Sequence, residues 1–453
     1  MTVNTQENGP AVDKTTIEPT PGERETGDAP VELRKTLTIT RGIAVSISMI
    51  VGSGLLVLPG LAYASVGPSA VFAWGAAALV VLPLLLVFAR LGARFPNAGG
   101  VIGFARAAFG RTGAAATAYL LLGATAFGGA AMAITGGNYV AVLIGVPDAS
   151  IPAAFGFLVV VAVLNAMGSH LAGGLQTAVT ALLVLLIAVV ASVPFLTPGF
   201  EPPGTVAAPP SWLDLVPVVG LVFFAFTGWE LVASTTEEYH RPKRDLPIVV
   251  GTAFVVIVVL YLGIATAVQM SLDRSDPMVK RAPVAAVLEN ALGSAAGSAA
   301  AALGTLIVFA TLMGGTWATS RIVFATAREG LLPARLTRLN AKNGAPTGAI
   351  VVSVLMFGSV VAGRATDLFS LDEVFQLSAV NFIIGYVMST LAYGRLFRHW
   401  RSLLLAVLAA APTVWMLTGF GWILLFPAAL LVVGFAVHRT TRPPLAPLVE
   451  GAS

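Results

Sequence analysis

ISMIVGSGLLVLPG, residues 47–60, is apolar on both flanks and interrupted in its middle by Gly52-Ser53-Gly54. The surrounding run, residues 38–64, is long enough to cross a bilayer, whose core of about 30 Å needs about 20 apolar residues of helix. Loose backbone at that depth carries unsatisfied N–H and C=O groups, which lipid does not tolerate. A break there needs a reason, and two readings fit it. One is close helix packing, for which small residues are the common device. The other is a binding site built from the freed backbone groups.

Composition sets the class. Of the 453 residues 57% are hydrophobic and 11% charged, against about 25% charged in soluble domains, so the chain reads as an all-α polytopic membrane protein. Twelve apolar segments are expected, at about 38–64, 68–91, 113–145, 150–168, 174–196, 213–239, 247–271, 296–328, 347–363, 369–395, 402–417 and 419–437. Residues 1–35 are polar and read as a disordered tail without a signal-peptide core, as do residues 438–453. The absence of cysteine excludes disulfides, thiol catalysis and cysteine metal sites.

Orientation follows from Lys and Arg. Twenty of them lie on one set of flanks, including Arg41, Arg90, Arg94, Arg106, Arg111, Arg321, Arg328, Arg395 and Arg439. The opposite flanks hold four: Arg274, Lys280, Arg281 and Arg364. Both termini are therefore expected in the cytoplasm, and the net charge of +4 reads as a topology signal rather than as nucleic-acid binding.

The break has a counterpart. Segment 6 is interrupted at Thr227-Gly228-Trp229, followed at once by Glu230. Two broken helices, five apart and opposite in direction, are what a 5+5 inverted repeat produces. That divides the chain into residues 36–196, residues 213–395 and two appended helices over 402–437. Half-helices ending at the midplane would offer N–H groups to a carboxylate and carbonyls to an ammonium. A zwitterionic amino acid carries both groups a few ångströms apart. The paired break tips the reading of Gly52-Ser53-Gly54 from packing to binding.

GSGLLVLPG (52–60), FPNAGGVIGFARAAFG (95–110), FAFTGWE (224–230), EEYHRPKRDLP (237–247) and SRIVFATAREGLLP (320–333) together resemble the amino acid–polyamine–organocation transporters. The likeness spans about residues 36–395 and implies their fold, a 5+5 inverted repeat with broken helices 1 and 6. PNAGGV and LQTAVT (175–180) bring the chain nearest the bacterial branch that exports methionine and branched-chain amino acids. The resemblance implies that the amides of Ser53 and Gly54, beside Gly52, hold the substrate carboxylate. It implies that the carbonyls of Ile50, Phe224 and Thr227, beside Gly228, hold the ammonium. Phe224 would also wall the side-chain pocket, with Phe226 nearby.

A carboxylate near a helix centre costs about 2.5–3.5 kcal/mol on insertion scales, so Glu230 should face a cavity or a partner. Relatives carry a glutamate here linked to proton movement; capping of the broken helix is the alternative, and the two roles can coexist. Segment 5 has no lysine, which removes the cation that replaces sodium in some relatives. Segment 8 offers Thr305, Thr311, Thr316, Thr319 and Ser320 as hydroxyls, whose ordinary habit is to bond back to the i−4 carbonyl. Asn138, Asn165, Gln176 and Asn381 read as polar links between helices, and His170, His240 and His399 as exposed.

No charge besides Glu230 falls near the expected pocket, so the substrate should be neutral and apolar, of the Leu, Ile, Val, Met or Phe type. Gly314 and Gly315 stand where some relatives have a bulky aromatic, and Trp229 and Trp317 are gating candidates. No cofactor and no metal are expected. The reading is a plasma-membrane secondary transporter, proton-coupled, in the export direction. An importer or exchanger of another amine, and a sensor without turnover, are the alternatives. A homodimer through segments 11 and 12 is the expected assembly.

Overall fold

In segment 1, Thr38 opens α1 (Ile39–Ile50) by accepting the Arg41 N–H on its side chain. The helix then stops where the sequence turns to Gly52-Ser53-Gly54: Val51 and Gly52 are extended, and a single 3-10 turn, Ser53–Leu56, precedes α2 (Leu58–Val66). Pro59 suits the first turn of α2, whose N–H groups lack helical partners. Gly67, at φ +58°, ends it. The computed structural model describes residues 38–95, 100–168, 173–196, 206–209, 211–229, 232, 239 and 241–441. Glu230, His170, His240, most of the FPNAGG stretch and half of EEYHRP lie outside the described residues, as do the amino-terminal tail and residues 442–453.

The chain continues through α3 (Ala70–Arg94), α4 (Val101–Leu143), α5 (Ser150–Ala166) and α6 (Gly173–Leu196). Next comes α7 (Val216–Phe223), which passes into a 3-10 turn at Phe224–Phe226 and then into extended backbone at Thr227. The remainder is α8 (Pro242–Ser271), α9 (Met278–Arg281), α10 (Pro283–Leu292), α11 (Ser294–Arg328), α12 (Thr347–Ala365), α13 (Leu371–Leu396), α14 (Trp400–Leu417) and α15 (Leu425–Thr440). Among the described residues there is no strand element.

Among the described residues ten stretches are long and apolar enough to cross a membrane, one of them spanning α2 and α3 together. Ile39–Ile50 and Trp212–Phe226 appear as shorter apolar helices, because each is cut at its break. The boundaries that differ from expectation include those of the third and the last segments. The third segment begins at Val101 rather than 113, because Gly110 (φ +68°, ψ −157°) bends a helical arm off the span. Arg106 and Arg111 had hidden that arm in the hydropathy pattern. The last helix runs to Thr440, three residues into the expected tail.

α4 is the central post: most of its residues are buried, and it packs against α5, α11, α13 and α15. α14 and α15 sit at the edge, with Leu404, Val407, Leu425 and Val432 exposed as a lipid-facing surface would require. At the arginine-rich end, Arg111 donates to the carbonyls of Glu329 and Thr441, and Arg106 forms an ion pair with Glu329. These contacts tie the last helix to the start of α4.

Candidate functional site

The two interruptions meet. Gly228 has φ +112°, a conformation favoured by glycine alone. A Cβ there would also stand 2.8 Å from the Met49 carbonyl on the last turn of α1. Glycine is thus required twice over, by torsion and by approach. The Gly228 N–H donates to the Tyr386 hydroxyl on α13 at 3.2 Å. Tyr386 is itself held edge-on against Phe88 and Phe223.

In the first break, the turn's opening bond runs from the Leu55 N–H to the Gly52 carbonyl at 3.2 Å. The N–H groups of Ser53 and Gly54 come before it and are among the orphan donors that a helix start leaves. A Cβ on Gly54 would touch Leu58 at 3.3 Å and the Phe224 ring at 3.4 Å. The other side of that ring lies near Gly128 on α4, where a Cβ would stand 3.4 Å away. Phe375 and Phe382 meet it edge-on.

At the second break the Phe224 carbonyl accepts twice from Thr227, from the N–H at 3.1 Å and the hydroxyl at 2.8 Å. Both lone pairs are engaged, so this carbonyl differs from the expectation of a free acceptor. Ile50, the last residue of α1, presents its carbonyl to the Tyr261 hydroxyl at 3.4 Å.

Between the breaks lies a cavity of about 750 Å³. Ile50, Gly52, Gly54, Phe224, Thr227 and Gly228 line it. Ser53 and Phe226, also expected at the site, are fully buried behind it, Phe226 packed on Trp74 and Tyr261. Among the described residues that line the cavity none is acidic or basic. Gly314 and Gly315 form part of the α11 wall, and Gly129 brings α4 so close to Phe357 that a Cβ would stand 2.5 Å from its ring. Among the described residues no cluster of His, Cys, Asp or Glu can hold a metal.

The cavity opens toward the arginine-rich end. Val45, Ser48 and Met49 on that side are partly exposed, and Trp317 is 46% exposed with Arg321 stacked on its ring at 5.0 Å. The opposite end is sealed. Leu55, Leu56, Val57 and Leu58 are buried, and Tyr139 donates to the Leu56 carbonyl at 2.8 Å. A Cβ at Gly60 would overlap the Val279 carbonyl, so α2 lies directly against the α9–α10 cover.

Thr305, Thr311 and Thr316 bond back to their i−4 carbonyls, and Ser320 to its i−3 carbonyl. Asn138 accepts from Ser150, and Asn165 reaches Met313 on α11; both link helices, whereas Asn381 bonds within its own helix. Gln176 has its backbone in α6, its side chain outside the description. His399 caps α14. Trp229 is buried near Phe254, away from the cavity; Trp317 is at its mouth. Tyr261, Asn165, Met132 and Phe382 also line it and carried no sequence signal as site residues.

A model of the amino acid permease family matches residues 37–449. The chain is similar to the uncharacterized amino acid permease YecA of Bacillus subtilis (strain 168), at 28% identity over 419 residues covering 90% of this chain and 96% of that one. It is similar, also at 28%, to the L-methionine/branched-chain amino acid exporter YjeH of Escherichia coli (strain K12), covering 88% of this chain and 95% of that one. The branched-chain amino acid permease BcaP of Bacillus subtilis (strain 168) is 25% identical, covering 77% of this chain and 78% of its own.

Proposed function

This chain belongs to the amino acid permease family, within the amino acid–polyamine–organocation transporters, and from that footing we propose that it carries neutral, apolar L-amino acids across the plasma membrane by alternating access. The family and its relatives are transporters rather than enzymes, and the chain is a multi-pass membrane protein. We read the ten long spans and the two interrupted ones as twelve, the first ten forming a 5+5 inverted repeat with α14 and α15 appended. We infer from the Lys and Arg bias of the flanks that both termini are cytoplasmic.

One observation carries the reading: a cavity with no described charged lining residue sits between two helix interruptions that expose backbone polar groups. Orphan N–H groups at Ser53 and Gly54 suit a carboxylate, because a helix start is an anion site. Carbonyls at Ile50 and Thr227 suit an ammonium. The surrounding Phe224, Phe357, Phe382, Met132 and Met313 suit an apolar side chain. A dibasic or acidic substrate would need a charged partner in low dielectric. Leu, Ile, Val, Met and Phe are the substrates this chemistry favours, and the similarity to an exporter supports net export.

Glu230, directly after the second interruption in sequence, is proposed as the proton carrier. Glu230→Gln should abolish the pH dependence of net transport while leaving exchange intact; an unchanged pH profile would rule that role out. A homodimer through α14 and α15 is proposed on their exposed apolar faces.

The test of function is counterflow in proteoliposomes. Labelled leucine is supplied outside, one unlabelled amino acid is preloaded inside, and no ion gradient is applied. Apolar amino acids should drive label uptake, and lysine or glutamate should not. Binding of leucine without any uptake would replace the transporter with a membrane sensor.

A further inference from the structure

Tyr261 sits midway along α8 in the apolar run VVLYLGIA (258–265). Its ring is fully buried, edge-on to Trp74 at 5.5 Å and to Phe226 at 4.8 Å between ring centres. Two aromatic neighbours leave the side chain little choice of direction, and its hydroxyl reaches the place where the interruptions meet. It lies 2.8 Å from the Ala225 carbonyl and 3.4 Å from the Ile50 carbonyl. Tyr261 also lines the cavity.

A phenol has one proton to donate and an oxygen that accepts. The shorter contact assigns the proton to Ala225. The oxygen lone pairs then stand 3.4 Å from the Ile50 carbonyl, a pair of acceptors at the carboxyl end of α1, where the helix dipole favours a cation. An α-ammonium brings three N–H donors. The Phe224 carbonyl is already occupied by Thr227, so backbone carbonyls alone do not supply three acceptors from Ile50, Phe224 and Thr227.

We infer that the Tyr261 hydroxyl oxygen contacts the substrate ammonium directly, beside the Ile50 carbonyl, and that it sets the preference for a primary over an N-alkylated amine. The inference rests on the amino-acid reading above. A different role for the same hydroxyl is a clasp that joins α8 to the two interruptions whether or not substrate is present. The two roles separate experimentally, since a clasp affects all ligands alike and a contact affects the donor it meets.

The experiment measures competition by leucine and by N-methylleucine against labelled leucine, with full-length native protein and Tyr261→Phe in proteoliposomes. Leucine should weaken by about tenfold to a hundredfold in the variant, the range for a hydrogen bond to a charged group. N-methylleucine, with one donor fewer, should weaken less, so the native preference for leucine collapses. Equal weakening of both ligands, or no weakening, would overturn the inference. If Tyr261→Phe does not fold, 3-fluorotyrosine at position 261 replaces it: fluorination makes the phenol a better donor and a poorer acceptor. Leucine affinity should then fall; unchanged or tighter binding would again overturn the inference. If the native chain binds no amino acid at all, the amino-acid reading fails first, and this inference with it.

Discussion

Gly54 and Gly228 do different jobs at the same junction. At Gly228 the positive φ and the nearby Met49 carbonyl both exclude a side chain, so this glycine lets the two interruptions approach each other. At Gly54 the backbone is ordinary, and what a side chain would meet is Leu58 and the Phe224 ring. Gly54→Leu should therefore abolish leucine binding, by filling the space beside the Ser53 and Gly54 amides, while the protein still folds. Titration of purified protein with leucine checks this; unchanged affinity would remove the carboxylate role. These glycines were legible in the sequence because Gly and Ser inside an apolar run are a local anomaly with a physical cost. Tyr261 was not. It lies in a helix where nothing in the neighbouring residues marks it, and its place at the cavity arises only when α8 packs against the breaks. Asn165 was legible only as a polar link between helices, which it is. Phe226 shows the reverse case: next to the break in sequence, it packs on Trp74 behind the cavity.

Among the elements, α2 is held at its carboxyl end. Arg274, just after α8, donates to the Ala64 and Ser65 carbonyls at 2.9–3.1 Å, on the last turn of α2. A guanidinium at a helix carboxyl end satisfies orphan carbonyls and complements the dipole. Nearby, Gln269 donates to the Pro68 carbonyl at 2.7 Å and accepts from the Val71 N–H at 3.4 Å. An opening that moves α2 and the start of α3 away from α8 breaks both sets of bonds. Arg274→Ala should shift the population toward the conformation open here, by a factor of about 10 if the lost bonds contribute about 1.4 kcal/mol net. Ser69, 4% exposed on this side, gives the readout: in Ser69→Cys protein, thiol labelling from that side should accelerate when Arg274 is also replaced. Equal labelling rates would mean that Arg274 does not hold the seal. The α9–α10 cover itself was not foreseen. Its ten-residue helix is too short to stand out by hydropathy, although Pro283 at its start and Gly293 at its end are helix-boundary residues.

At the scale of the whole molecule, the asymmetry of the cavity matters most. It is open toward the end that carries the arginine-rich loops and closed beneath α9 and α10, as one half of the proposed alternating-access cycle requires. Hydropathy made the spans readable, because it is a sum over many residues. Which end is open was not readable, since that depends on how tightly a few side chains meet across the seal. The described lining of the cavity carries no charge, which fits the proposed neutral amino acid in the space between the interruptions.

The chain has no cysteine, so a single one can report on that space. Gly315 lines the cavity, and a Cβ there meets only Met132 Sδ, at an ordinary 3.8 Å. The measurement is the rate of maleimide labelling of Gly315→Cys protein with and without amino acids. Leucine and methionine should slow labelling at concentrations that saturate counterflow, and lysine and glutamate should not. If leucine drives counterflow in this variant yet leaves its labelling rate unchanged, the substrate binds elsewhere and the account is contradicted.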